Sequence, residues 1–173
     1  MYPYIRRATP ADVPAMYMVS LRAHQRSYIN LIPQDHRARF DKKYSFSKLA
    51  EASYSKRMLS RLNDPAWYIW IAEFEGQVVG YTKEQRVSPD FIQKRGLFVD
   101  PDYHGRGIGT MLFETSMSIA DTNTTLRLSV IENNERAKRL YLAHGFRPIG
   151  YEEKTYFGAR LEIMEHVPVA SVK

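Results

Sequence analysis

The stretch Asp100–Leu112, DPDYHGRGIGTML, places three glycines on alternate positions immediately before an apolar segment. Glycine costs a helix about 1 kcal/mol per residue relative to alanine, so glycines where a helix begins need an explanation. A glycine-rich turn between a strand and a helix lets backbone N–H groups point at an anion, and the helix dipole adds to the attraction. The stretch is therefore typical of a phosphate-binding loop, although glycines alone slightly favour a flexible turn.

The residues after the loop indicate a helix that begins at the glycines. One helical face is formed by Ile108, Met111, Leu112, Thr115 and Ile119. Two familiar phosphate loops do not match this sequence. A P-loop needs lysine and then serine or threonine after its second glycine, whereas Gly109 is followed by Thr110 and Met111. A dinucleotide fingerprint needs a glycine where Thr110 stands.

Length and composition predict one globular domain over residues 1–173, with 167–173 as a loose tail. Hydrophobic residues make up 44% of the chain, which is enough for a sizeable core. There are no cysteines, which excludes disulfides and thiol nucleophiles. The N-terminal residues lack the apolar run of a signal peptide, and no apolar block approaches the roughly 20 residues that span a bilayer. We therefore expect a cytoplasmic protein with no membrane partner.

The formal net charge of +6 suits an anionic ligand, either nucleic acid or a phosphate-rich cofactor, and it suits a solubilising surface equally well. The basic residues are scattered and form no stripe with interleaved aromatics, which disfavours a nucleic-acid-binding module. The five histidines show no metal-ligand spacing, so we expect no metal. The sequence also contains no Gly-x-Ser-x-Gly nucleophile elbow.

Helical and strand periods alternate along the chain, which predicts an α/β (α+β) sandwich around a mixed sheet. Strands are predicted to begin at Ile5, to flank a hairpin at Glu75–Gly76, and to cover 91–99, 125–131, 149–156 and 159–165. Helices are predicted from Pro10 towards Ser27 and over 47–62, 107–120 and 134–144. The polar, proline-containing segment Asn30–Tyr44 is predicted to be a loop.

Two motifs resemble the GNAT superfamily of acetyl-coenzyme A-dependent N-acetyltransferases. The first is a strand ending Leu97-Phe98-Val99-Asp100-Pro101, followed by His104-Gly105-Arg106-Gly107-Ile108-Gly109 in place of Gln/Arg-x-x-Gly-x-Gly/Ala. The second is Asn-x-x-Ala-x-x-Leu-Tyr-x-x-x-Gly-Phe, matched by Asn134, Ala137, Leu140, Tyr141, Gly145 and Phe146. The resemblance covers nearly the whole chain. It implies a three-layer sandwich with a mostly antiparallel sheet of about seven strands, splayed between the fourth and fifth.

The resemblance also implies acetyl-coenzyme A as co-substrate, with its pyrophosphate on the glycine loop and its pantetheine arm along the preceding strand. The implied coenzyme-binding residues are Leu97, Phe98, Val99, His104, Gly105, Arg106, Gly107, Ile108, Gly109, Thr110, Asn134 and Tyr141. Asn134 is equally suited to cap its own helix. His104 departs from the usual Gln/Arg, which should alter only contacts within the loop.

The implied reaction is direct attack of a primary amine on the thioester in a ternary complex, with no covalent enzyme intermediate. The resemblance makes Tyr141 the general acid that protonates the departing thiolate, against the alternative of a packing aromatic. Gln93 and Arg95 stand where family members often carry a glutamate base. Glu84 is another candidate, although it is expected to be a solvated carboxylate at a strand edge. The base is left unassigned.

The sequence indicates less about the amine acceptor than about the coenzyme. RSYINLIP at 26–33 resembles the small-molecule and polyamine acetylating branch, yet DHRARFDKK at 35–43 is more basic than a polyamine site should be. Tyr28 and Tyr156 are candidates for lining the acceptor site, or ordinary packing aromatics. A protein N-terminus or lysine is the second acceptor class, and a homodimer is left open. A sensor of the same fold that binds acyl-coenzyme A without turnover is the alternative function.

Overall fold

A seven-stranded sheet forms the middle layer of the computed structural model, which describes residues 2–167. The strands are β1 Tyr4–Arg7, β2 Trp67–Phe74, β3 Gln77–Ser88, β4 Phe91–Val99, β5 Thr125–Ile131, β6 Arg147–Tyr151 and β7 Leu161–His166. Their order in the sheet is β1-β2-β3-β4-β5-β7-β6. All neighbours are antiparallel except β4 and β5. Apart from Val167, the predicted tail lies outside the described residues.

Helices cover both faces of this sheet. They are α1 Val13–Arg26, α2 Arg37–Lys43, α3 Lys48–Leu62, α4 Ile108–Met117 and α5 Glu135–Ala143. On one face α1 and α3 share a core with β2 and β3, and on the other α4 packs against the same two strands. The predicted mixed, mostly antiparallel three-layer sandwich is confirmed. Within residues 2–167 no helix combines the length and the apolar character that crossing a membrane requires.

β4 and β5 pair only at their first three residues and then diverge. Residues 91–93 pair with 125–127, and β4 continues to Val99 without β5 beside it. A bulge at Arg95 accompanies the divergence, because the β3 register moves from Lys83–Gly96 to Glu84–Lys94. At Gly96 φ is +154° and a Cβ would lie 2.7 Å from a Phe98 ring carbon, so only glycine fits. The predicted splay between the fourth and fifth strands is confirmed.

The segment 30–44, predicted to be a loop, is mostly helical, so that prediction is wrong. Two 3₁₀ turns, 28–31 and 34–36, lead into α2. Phe40 on α2 is 0% exposed and packs in a small core with Ile32, Ile131 and Ala159. Because α2 has only seven residues and one apolar anchor, its sequence shows no helical period; burial of Phe40 against distant residues stabilises it.

Glu84 is buried, so the expected solvated strand-edge carboxylate is wrong. β3 lies between β2 and β4, and α4 covers the face on which Glu84 lies, leaving it 0% exposed. Its Oε1 accepts hydrogen bonds from the Thr82 hydroxyl at 2.6 Å and from Lys94 Nζ at 3.2 Å. Lys94 also donates to the Ser116 hydroxyl of α4. Burial lowers the pKa of Lys94, with the Glu84 charge opposing the shift. The Glu84–Lys94 pair therefore links β3, β4 and α4.

Replacing Lys94 by methionine should leave the Glu84 carboxylate buried without its cationic partner. Removing one partner of a buried ion pair costs about 3–5 kcal/mol of unfolding free energy, which denaturant titration at pH 7 would measure. The double variant Glu84→Gln/Lys94→Met should be more stable than the single variant because no buried charge remains. A Lys94→Met protein within 1 kcal/mol of the parent would contradict this account.

Candidate active site

The glycine loop takes a backbone conformation that requires glycine at two positions. Gly105 and Gly107 have φ of +80° and +74°, in the left-handed region that strains other residues. Gly107 is the N-cap of α4, and a Cβ at either position would meet no protein atom within 4 Å. The outer surface of the loop at the N-terminus of α4 is therefore open to a ligand.

A neutral histidine holds an arginine beside this loop. Arg136 Nη1 donates to His104 Nδ1 at 2.7 Å, and His104 Nε2 lies 3.2 Å from the Val99 carbonyl oxygen. The carbonyl can only accept, so Nε2 carries the proton and Nδ1 accepts from Arg136. Burial lowers the pKa of His104, and the Arg136 charge lowers it further. Sequence reasoning missed Arg136, although it lies inside the second motif.

A cavity of about 470 Å³, here called the loop cavity, opens over the glycines. Eleven of the predicted coenzyme residues line it: Leu97, Phe98, Val99, His104, Gly105, Gly107, Ile108, Gly109, Thr110, Asn134 and Tyr141. Arg106 is not among its lining residues. Its guanidinium lies over the rings of Phe74 and Tyr103, 5.4 and 5.6 Å from their centroids. Any contribution of Arg106 to the loop would therefore come from its backbone.

A second cavity of about 520 Å³, here called the splay cavity, extends from the gap between β4 and β5 towards α1 and α3. The two cavities adjoin, because both are lined by Tyr28, Leu97, Phe98, Asn134 and Tyr141. Tyr156 lines the splay cavity but not the loop cavity, and its hydroxyl is hydrogen-bonded to that of Tyr44. Gln93 and Arg95 also line it. No Asp or Glu of residues 2–167 is among the residues that line this cavity.

The N-cap of α5, Asn134, and Tyr141 within α5 lie where the two cavities meet. Asn134 caps the helix, because its Oδ1 accepts from the Ala137 backbone N–H at 3.2 Å. The ring centroids of Tyr141 and Phe113 are 5.3 Å apart. Burial raises the pKa of the Tyr141 hydroxyl above the ordinary value near 10. The phenol is therefore protonated at neutral pH. The packing role of Tyr141 and its position at the junction coexist.

His24 of α1 is a site residue that sequence reasoning missed. Its Nδ1 lies 2.6 Å from the Ser20 carbonyl oxygen and must donate to it, which leaves Nε2 as an acceptor. Burial lowers the pKa of His24 to about 4, so the ring is neutral. The ring stacks on that of Tyr44, with the two ring centroids 3.9 Å apart, and His24 lines the splay cavity. A histidine on the apolar face of α1 was the available signal.

Comparison with known proteins agrees with this architecture. Residues 65–148 match the family described as "Acetyltransferase (GNAT) domain". An uncharacterized N-acetyltransferase of Mycobacterium tuberculosis is 33% identical over 95 residues, 54% of this chain and 61% of that relative. The peptidyl-lysine N-acetyltransferase YjaB of Escherichia coli is 42% identical over 57 residues, 33% of this chain and 37% of YjaB.

Among solved structures, PaiA N-acetyltransferase from Thermoplasma acidophilum, in complex with coenzyme A, superimposes with a TM-score of 0.72. The identity is 20%, over 96% of this chain and 99% of that one. Residues 65–148, just under half of this chain, are similar to the GNAT acetyltransferase family. The segment matched to the mycobacterial relative spans 61% of that relative's length, and the likeness to PaiA shows the fold.

A valine at position 107 tests the loop as a ligand site. The substitution Gly107→Val should lower the affinity for coenzyme A at least tenfold, about 1.4 kcal/mol, by covering the backbone amides. Isothermal titration calorimetry with coenzyme A measures the effect.

The matched control for this substitution is Gly76→Val in the β2–β3 hairpin. Gly76 has φ of +75° and equally open surroundings, so the backbone strain is similar, and Gly76 lines neither cavity. Equal coenzyme affinities in the two variants would place the ligand elsewhere.

Proposed function

We propose that the protein is an acetyltransferase that moves an acetyl group from acetyl-coenzyme A to a primary amine by direct attack in a ternary complex. The observation that carries this proposal is the meeting of two cavities at Tyr141, one over a phosphate-type glycine loop and the other open towards α1 and α3. One cavity can hold the donor and the other the acceptor, with their reacting ends at the splay.

The donor cavity fits coenzyme A in three ways. The backbone of Leu97–Val99 pairs with β3 on one side and lacks β5 on the other, so pantetheine amides can bond to it as an added strand would. The glycine loop offers N–H groups at the start of α4, and Arg136 adds a positive charge for the pyrophosphate. When bound, acetyl-coenzyme A supplies the acetyl thioester.

Tyr141 is proposed to donate its phenolic proton to the departing thiolate sulfur as the C–S bond breaks and the C–N bond forms. The proton that the attacking nitrogen loses then restores the phenol, so that neutral amine and thioester give amide and thiol. A phenol with a pKa near 10 protonates a thiolate whose thiol has a pKa near 8.5 at a cost of about 2 kcal/mol, which a positioned acid can meet. Burial raises the pKa of Tyr141 further. The same burial disfavours the thiolate anion and raises the pKa of its thiol, so the two shifts largely offset each other.

The acceptor amine is proposed to lie in the splay cavity beside His24. The free Nε2 of His24 can accept a hydrogen bond from the amine and orient its lone pair. With a pKa lowered to about 4, His24 is too weak a base to keep the proton of an alkylammonium group. Glu84 is buried in its pair with Lys94, so we assign no carboxylate base.

A sensor that binds acyl-coenzyme A without turnover is the second candidate. It is favoured by one observation, that no carboxylate of the described residues lines the splay cavity. A screen of acetyl transfer over a panel of amines separates the two. Turnover supports the enzyme, whereas coenzyme binding without turnover supports the sensor. Because YjaB is named a peptidyl-lysine acetyltransferase, the panel should include a lysine peptide as well as small amines.

The substitution Tyr141→Phe keeps the ring and removes the proton that it could give. General acid catalysis contributes about 10²–10⁴-fold, so kcat should fall by that factor. Coenzyme affinity and melting temperature should change little, because the ring still packs against Phe113. Steady-state kinetics, calorimetry and thermal unfolding on one preparation measure all three quantities.

Tyr68→Phe is the matched control, because Tyr68 lies on β2 and lines neither cavity. It should retain the parent kcat. A folded Tyr141→Phe protein within threefold of the parent kcat, with chemistry limiting turnover, would remove Tyr141 from the mechanism and leave it as a packing residue.

A further inference from the structure

Five cationic side chains converge on the splay cavity, and we call them the cation cluster: Lys43, Arg57, Arg61, Lys83 and Arg95. None of the five forms an ion pair with another described residue. A sixth cation at the cavity, Lys94, already has Glu84 as its partner. Within residues 2–167, the cavity therefore carries positive charge without a carboxylate among its lining residues.

The fold brings this cluster together from four separate elements. On α3, Arg57 and Arg61 are one turn apart, and Arg61 is also one turn from Met58, which is 1% exposed in the core against the sheet. Lys83 comes from β3, Arg95 from the β4 bulge, and Lys43 from the end of α2. Lys83 and Arg61 are half-buried in the cavity wall, whereas Lys43, Arg57 and Arg95 line the cavity with exposed side chains. The Arg95 guanidinium also donates to Gln85 Oε1.

The cluster is held in an electrostatically unfavourable arrangement. Burial lowers the pKa of Lys83 to about 8, and the charges of Arg61, Arg57 and Arg95 lower it further, against an opposing effect of Glu84. Burial likewise lowers the pKa of Arg61, with Arg57 contributing next. Like charges that repel one another in a partly desolvated cavity are typical of a site for an anion, which relieves the repulsion when it binds.

The location and size of the cavity define the class of that anion. The cluster lines the cavity in which the acceptor amine is proposed to bind, and none of its five members lines the loop cavity. A volume of about 520 Å³ suits a small molecule. A polyamine would add positive charge to the cluster, so the resemblance of residues 26–33 to the polyamine branch does not extend to the charge of this cavity.

We infer that the acceptor is a small primary amine that also carries an anionic group, a carboxylate or a phosphate, bound by the cation cluster. This inference rests on the proposed function. Arg57 and Arg61 would hold the anionic group from α3. Lys83 and Arg95 lie on the sheet near Gly96, where the gap between β4 and β5 opens towards the donor.

Acceptors that differ only in the charge of one end test this inference. 4-Aminobutyrate, butylamine and putrescine each present a primary amine on a four-carbon chain, with an anionic, neutral or cationic far end. 2-Aminoethyl phosphate and ethanolamine form a second pair, which distinguishes phosphate from carboxylate. At least one anionic acceptor should exceed its neutral counterpart about tenfold or more in kcat/KM, because a charge-assisted contact discriminates by that much. Putrescine should be the poorest substrate.

Two variants that each remove one positive charge test whether the preference for anionic acceptors comes from the cation cluster. Arg57→Gln removes one positive charge from the cluster, and Arg139→Gln removes one from the exposed surface of α5, outside both cavities. Arg57→Gln should lower kcat/KM for the preferred anionic acceptor about tenfold and change that for butylamine less than twofold. Arg139→Gln should change neither. Equal losses with both acceptors, or in both variants, would overturn the assignment.

Failure of the inference and failure of the proposed function give different results. If butylamine or putrescine reacts as well as every anionic amine, the inference is overturned and the acetyltransferase stands. The same holds if an acidic lysine peptide is strongly preferred to every small amine.

If no amine reacts although coenzyme A binds, the proposed function fails. Calorimetry with the coenzyme A-bound protein then decides the inference by itself. Tighter binding of 4-aminobutyrate or 2-aminoethyl phosphate than of putrescine supports it, and equal or absent binding overturns it.

Discussion

The divergence of β4 from β5 is the constraint on which the site depends. Pairing between β4 and β5 stops after Gln93. From there to Val99 the backbone of β4 lies beside a gap on the side that faces β5. Backbone groups inside a protein need partners, and a ligand that carries amides can supply them as a strand would. The same divergence opens the two cavities, and Tyr141 lies where they adjoin because α5 packs against this gap.

A buried ion pair stabilises the strands at the point where they diverge. Glu84 and Lys94 face each other across β3 and β4, next to the bulge at Arg95, and Ser116 of α4 accepts from Lys94. Thr82 lies on the other side of the bulge, with its hydroxyl 2.6 Å from Glu84 Oε1 and 3.1 Å from the Gly96 carbonyl oxygen. Oε1 of Glu84 is thus engaged within the fold, by the Thr82 hydroxyl and by Lys94.

Charged side chains on the two faces of the sheet differ in whether they have partners of opposite charge. Beneath α4, a buried lysine and glutamate neutralise each other. Towards α3, the cations of the splay cavity have no carboxylate beside them among its lining residues. Tyr141 at the junction and His24 in the splay cavity are neutral, since burial raises the pKa of Tyr141 and lowers that of His24. Uncharged groups at the reacting centre and positive charge at the acceptor end favour an acceptor with an uncharged amine and an anionic tail.

The sequence by itself determined the elements whose signals are local. The strands 91–99 and 125–131 and the helix from Glu135 that Asn134 caps agree with their predicted bounds, because period and capping depend on residues a few positions apart. The resemblance carried by the two motifs also led to the splay, and to eleven of the residues that line the loop cavity.

Only the tertiary structure decided the burial of Glu84, the helical path of residues 30–44 and the grouping of cations from α2, α3, β3 and β4. Each of these depends on what a residue meets from distant parts of the chain. Desolvation and the electric field at a side chain are set by such neighbours, and no pattern within one segment contains them.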